Sequence, residues 1–136
     1  MSRPETVAYR SGGASMAARH GAVGMLVGQI AKIHGCKTIG VAGGAEKCRW
    51  LTEEFGYDHA IDYKRENVVE RVREITDGAM VPVVYDGVGK DTFMDSLDCL
   101  APLGLMVSFG NASGPVPAFS PSELQSRGSL FLTRPT

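Results

Sequence analysis

Short apolar segments of strand length alternate along this chain with segments whose apolar residues recur at helical spacing. That alternation predicts an α/β architecture, a doubly wound parallel sheet with right-handed crossovers. The strand-like segments are Lys37-Thr38-Ile39-Gly40-Val41-Ala42, His59-Ala60-Ile61-Asp62, Val81-Pro82-Val83-Val84-Tyr85-Asp86, 105–109 and 129–132. They are mostly unbroken in hydrophobicity, as strands covered on both faces should be. Pro82 fits only near a strand start, where its missing N–H costs least. Between them, Val23, Leu26, Val27, Ile30 and Ile33 mark one helix, with Gly35 able to end it. Cys48, Leu51 and Phe55 mark a second, closed by Gly56. Val68, Val69, Val72 and Ile75 mark a third, closed near Gly78, with Arg71 and Arg73 turned to solvent. Phe93, Leu97 and Leu100 mark a fourth, and Thr92 followed by Asp95 resembles a capping box. Residues 120–128 read as a short helix and turn. The first strand should be central and strongly apolar. Its only candidate, Thr6-Val7-Ala8-Tyr9-Arg10, alternates and ends in a charge, which reads as an edge strand.

The 136 residues suffice for one domain with a real core. Lys plus Arg number 14 and Asp plus Glu 15, so nothing draws the whole chain to nucleic acid or anionic lipid, and any phosphate site must be local. No apolar run approaches the roughly 18 residues of a membrane span. The opening Met1-Ser2-Arg3-Pro4-Glu5 lacks the apolar segment of a secretory signal. Cys36, Cys48 and Cys99 form no Cys-x-x-Cys pair or Cys/His cluster, so no metal is expected. A reduced, cytoplasmic protein is the reading, with the cysteines as small core or helix-face residues.

Four glycine-rich stretches carry the chemistry. Gly21, Ala22, Val23 and Gly24 open the first helix, whose unpaired N–H groups and dipole can hold a pyrophosphate. The short motif alone is a weak signal, and tight packing of helix on sheet is the commoner cause of the same glycines. No Gly-Lys-Ser/Thr follows, which disfavours a nucleoside triphosphate loop. The next stretch, Gly43-Gly44-Ala45-Glu46-Lys47, follows a strand that ends without the carboxylate with which NAD-preferring sites hold the ribose hydroxyls. Small residues, then a lysine one turn later, leave space and charge for a 2′-phosphate, and Tyr63 offers a hydroxyl. A simple glycine turn, a solvated Lys47 and a packed Tyr63 are the alternatives. Asp86-Gly87-Val88-Gly89 and Phe109-Gly110-Asn111-Ala112-Ser113-Gly114 lie at carboxyl ends of strands, where such sheets bind ligands. Asp86 reads equally as a turn or helix-capping residue. His20, His34 and His59 read as loop or surface residues, and no triad or carboxylate pair assigns a catalytic residue.

The segments 83–92 and 104–114, Val83-Val84-Tyr85-Asp86-Gly87-Val88-Gly89-Lys90-Asp91-Thr92 and Gly104-Leu105-Met106-Val107-Ser108-Phe109-Gly110-Asn111-Ala112-Ser113-Gly114, closely resemble the zinc-independent quinone oxidoreductases. That family, with zeta-crystallin, belongs to the medium-chain dehydrogenase/reductase superfamily. Leu132-Thr133-Arg134-Pro135 fits it too. Segments 27–32 and 43–48 are similar to related NADPH-dependent double-bond reductases. The resemblance covers residues 21–136 and implies an NADPH-binding Rossmann-type domain with strand order 3-2-1-4-5-6. By that resemblance Gly21, Ala22, Val23 and Gly24 meet the pyrophosphate. Lys47 and Tyr63, with Gly44 in the same turn, hold the 2′-phosphate. Phe109, Gly110, Asn111, Thr133 and Arg134 lie near the nicotinamide. In the family, hydride passes from NADPH to a quinone or conjugated carbonyl in a cleft between two domains.

Two departures stand out. Set against that family, nearly all of the N-terminal catalytic domain and the chain after the sixth strand are expected to be absent. Residues 1–20 form an atypical segment whose strand-to-helix loop is longer than the family's. A truncated or spliced product is therefore expected, poorly active or inactive alone. The alternative is a non-catalytic nucleotide-binding or assembly module. Apolar surface uncovered by the missing regions predicts self-association or a homodimer.

Overall fold

The fold is that of a computed structural model, which describes residues 6–10 and 33–135. In chain order the described elements are β1 (Thr6–Arg10), β2 (Lys37–Ala42), α1 (Ala45–Glu53), β3 (His59–Asp62), α2 (Val68–Ile75), β4 (Val81–Asp86), α3 (Phe93–Asp98), β5 (Leu100–Ser108), α4 (Ser122–Gln125) and β6 (Phe131–Thr133). The strands form one six-stranded sheet in the order β3-β2-β1-β4-β5-β6, and every pairing is parallel. This is the Rossmann-type doubly wound sheet that the alternating pattern implied. Among the described residues no helix is long and apolar enough to cross a membrane.

The strands alternate between two cores. Ile39, Val41, Ile61, Val84 and Met106 are buried with Val68 and Val72 of α2 and Phe93 and Leu97 of α3. On the other core, Ala42, Leu51 and Tyr57 are joined by Cys48, Phe55, Tyr85 and Phe109. Successive residues of β2 divide between the two because side chains alternate across a strand. Gly40 is what lets α1 close on the sheet: a Cβ there would lie 2.6 Å from Leu51 Cδ1.

Several local expectations are corrected. β1 is central, paired with β2 from Thr6↔Lys37 to Arg10↔Val41 and with β4 from Val7↔Val83 to Arg10↔Asp86. An alternating pattern reports how side chains divide between faces, and it does not decide which backbone edges find partners. β5 starts at Leu100, five residues before the expected position, so Leu100 leaves the helical pattern of α3. The strand is irregular there: two residues of β4, Val81 and Val83, face Leu100 and Leu105. Pro102 and the left-handed Leu103 (φ 63°) loop the extra residues out. β6 falls on Phe131–Thr133 and not on 129–132, because Ser129 turns at positive φ. Arg71 is not simply solvated, since it bridges Glu66 and Glu74 at 2.7 Å each. Thr92 makes no side-chain cap on α3, for a reason given below.

Candidate functional site

At the carboxyl ends of β2 and β3, two turns are locked together. The register pairs Ala42 with Asp62, the last residues of the two strands. Tyr63 N–H donates to Ala42 O at 3.1 Å. Gly44, the residue before α1, has φ 104°, a backbone that suits glycine. Its N–H donates to Asp62 Oδ1 at 2.9 Å, and Lys64 N–H donates to the same oxygen at 3.0 Å. The Tyr63 ring lies over Gly43, where a Cβ would meet Tyr63 Oη at 2.6 Å. Tyr63 is 52% exposed, with its hydroxyl beside this turn. Lys47 stands one turn into α1, partly buried. The Gly44 N–H above all holds the Asp62 carboxyl below its ordinary 3.8, helped by Lys64 N–H and the Arg65 and Lys64 charges and opposed by burial. Such a group adds stability above its unfolded pKa and loses it as pH falls through the lowered value. Cys48 Sγ donates to Ala42 O at 3.8 Å. Burial, then the Asp62 and Glu66 charges, push this thiol above 9.0, so it stays protonated at neutral pH.

A cleft of about 600 Å³ opens beside this turn, between α2 and the loop after β4. Val41, Val68 and Val88 supply apolar wall, Tyr63 stands at its edge, and Glu66 and Asp91 are among its carboxylates. With Glu70, Asp95 and Asp98 also on its lining, the cleft is apolar on one part and acidic on the other, which suits an uncharged apolar group and not an anion.

The loops after β4 and β5 are organised by Asp86, which is 1% exposed. Its carboxylate accepts from Val88 N–H (2.8 Å), Gly89 N–H (3.2 Å), Thr92 Oγ1 (2.7 Å) and Ser96 Oγ (2.6 Å). Thr92 Oγ1 is held on this carboxylate as a donor, whereas a capping box needs the same oxygen placed to accept from Asp95 N–H, and no such bond forms. Asp86 does satisfy the turn after β4, as one of its two expected roles required, and it reaches much further. The loop it shapes is laced to the next one. Ser113 N–H donates to Val88 O (2.8 Å) and Lys90 N–H to Gly114 O (3.1 Å), while Asp91 N–H donates to Ser113 Oγ (3.0 Å).

The predicted residues fall into two groups. Gly44 and Tyr63 come together at the ends of β2 and β3, and Lys47 follows one turn into α1. Gly110, Asn111, Thr133 and Arg134 lie at the ends of β5 and β6. Gly110 backs onto Gly87, whose carbonyl a Cβ at 110 would meet at 2.7 Å. Asn111 and Arg134 line a second cavity of about 270 Å³ floored by Phe93 and Phe119, and Arg134 Nη1 donates to Ser108 O at 3.2 Å. Phe109 turns inward: its ring covers Gly87 and packs with the Leu51 cluster. Gly21, Ala22, Val23 and Gly24 lie outside the described residues. Asp62 was not foreseen. The missing signal was the register, which carries an acid from β3 to the end of β2.

Comparison with known proteins is consistent with this architecture. The zinc-binding dehydrogenase family pattern matches residues 22–133. A quinone oxidoreductase of Pseudomonas aeruginosa is 53% identical over 116 residues, 85% of this chain and 35% of that protein. The chain thus spans about a third of the length of the curated relatives it matches. The solved Escherichia coli quinone oxidoreductase complexed with NADPH superposes with TM-score 0.84 and 43% identity, over 98% of this chain and 39% of that one. The Pseudomonas syringae pv. Tomato DC3000 quinone oxidoreductase gives 0.85 and 44%, over 100% and 39%. By pattern, identity and fold together, this chain belongs to the zinc-binding dehydrogenase family, within the quinone oxidoreductase, zeta-crystallin-like group of the medium-chain dehydrogenases/reductases.

Proposed function

We propose that this chain is the NADPH-binding part of a quinone or conjugated-carbonyl reductase, with residues 21–136 as the dinucleotide domain, completed by the central strand β1 that the 1–20 segment supplies. The observation that carries this reading is the Gly43–Gly44 turn beneath an exposed Tyr63, beside the cleft walled by Val41 and Val88. Turn and cleft fit the two halves of an adenosine 2′-phosphate, the base against apolar wall and the phosphate near Lys47 and the Tyr63 hydroxyl. Gly21, Ala22, Val23 and Gly24 take the pyrophosphate in this reading. Gly110, Asn111, Thr133 and Arg134 border the nicotinamide end, and Phe109 supports them from beneath. NADPH bound there supplies the hydride, and the protein orients it. Reduction of the quinone is proposed for the longer protein, because orienting a substrate against the cofactor needs both walls of a cleft. This stretch contributes cofactor binding and little turnover by itself.

Titration calorimetry with NADPH and NADH tests the site. A charge-assisted contact contributes about 1.5–3 kcal/mol, roughly one to two powers of ten in affinity. Lys47→Ala is therefore expected to weaken NADPH binding by that factor and leave NADH nearly unchanged, with the effect shrinking in high salt. Equal loss for both cofactors would assign Lys47 to the fold, and unchanged NADPH binding would remove it from the site.

The β6 edge supports a second reading, assembly. β6 pairs with β5 alone among the described strands, and Phe131 on it is 60% exposed. An open apolar edge favours pairing with another copy. Light scattering should show dimers or larger species at high concentration. A strictly monomeric chain would reject this.

A further inference from the structure

We propose that Asp62 limits how strongly this chain prefers a 2′-phosphorylated dinucleotide, because its carboxylate occupies the turn that the phosphate would enter. The inference rests on the site reading above and goes further. No acid ends β2, yet the register sets Asp62 beside Ala42, one strand spacing of about 4.8 Å away. β3 thus delivers to the Gly43–Gly44 turn the carboxylate that β2 lacks. Asp62 is only 7% exposed, held against the turn at the edge of the surface. Oδ1 takes the Gly44 and Lys64 N–H groups, which commits the turn's first donor to an internal anion. Oδ2 has no donor among the described residues. A 2′-phosphate beside it meets like charge, offset by Lys47, Lys64 and Arg65. A free 2′-hydroxyl meets an acceptor instead.

Asp62→Asn separates charge from structure. The amide oxygen still accepts from Gly44 and Lys64, and the charge is gone. A unit charge about 6–8 Å from a phosphate at a wet surface corresponds to roughly a three- to tenfold change in affinity. The probes are 2′,5′-ADP and 5′-AMP, titrated by calorimetry into the full chain at neutral pH and low salt. They carry the adenosine half alone and bypass the pyrophosphate loop. Asp62→Asn should raise the preference for 2′,5′-ADP over 5′-AMP by roughly three- to tenfold. Asp62→Ala should weaken both probes, because the tie between the turns is lost. A merely structural role would move both probes together and leave their ratio alone. If circular dichroism shows Asp62→Asn unfolded, the ratio is read on Asp62→Ala, where loss of the charge should still raise the preference for 2′,5′-ADP while both affinities fall. A ratio unchanged or lowered by loss of the charge, while Lys47→Ala still lowers it, overturns the inference and leaves the site standing. A ratio indifferent to Lys47→Ala, or no binding of either probe to the folded chain, overturns the site reading and this inference with it.

Discussion

Asp86→Ala is expected to lower the free energy of unfolding by about 3–5 kcal/mol, read from urea denaturation followed by circular dichroism. The carboxylate is 1% exposed and accepts from two backbone N–H groups and two hydroxyls. Hydrogen bonds to a charged group contribute about 1.5–3 kcal/mol each, and donors left buried without a partner cost about 1–3 kcal/mol. The hydroxyls of Thr92 and Ser96 can rotate towards other acceptors, so the full sum is not reached. Even so, the loss is a large part of the 5–15 kcal/mol typical of a domain. Asp86→Asn keeps the shape and one good acceptor and should lose roughly 1–2 kcal/mol. An alanine variant within about 1 kcal/mol of the parent would mean that water replaces the carboxylate and that the loop after β4 is held by other contacts.

Gly89→Ala should be nearly as damaging, about 2–4 kcal/mol, for a steric reason. Gly89 has φ 91°, outside what an L side chain readily adopts. A Cβ there would also lie 2.6 Å from Gly114 O and 3.2 Å from Gly110 O, both backbone atoms of the facing loop. Neither can swing aside as a flexible side chain would. The two loops must part, and the Lys90 N–H to Gly114 O bond (3.1 Å) and its neighbour from Ser113 N–H to Val88 O (2.8 Å) must weaken. Hydrogen exchange provides the specific readout: the Lys90 and Ser113 amides should lose protection well beyond the global change. Retained protection at those amides with parental stability would mean that the loops yield without cost.

Legibility in the sequence followed the range of the forces involved. β2, β3 and β4 fall on their expected residues because each is a short apolar run bounded by turn residues. α2 begins at Val68, where Asn67 Oδ1 accepts from Glu70 N–H at 3.1 Å, a purely local cap. The resemblance carried by residues 83–92 and 104–114 was specific enough to name the family, since those stretches form the two laced loops. Thr92 misled because its side chain is anchored as a donor to the buried Asp86 and makes no cap, and only the fold shows that this carboxylate is in reach. β5 misled because the period of α3 runs on through Leu100, while its pairing opposite Val81 makes that residue a strand.

What the residues alone established was therefore the doubly wound α/β class, the position of most elements and the glycine-rich loops at the strand ends. The fold alone decided which strand ends stand side by side. Strand pattern is a property of neighbours in the chain, whereas parallel register joins residues from separate segments, as it joins Ala42 to Asp62. For that reason a chain whose second strand ends without an acid still holds a carboxylate against the Gly44 N–H at 2.9 Å.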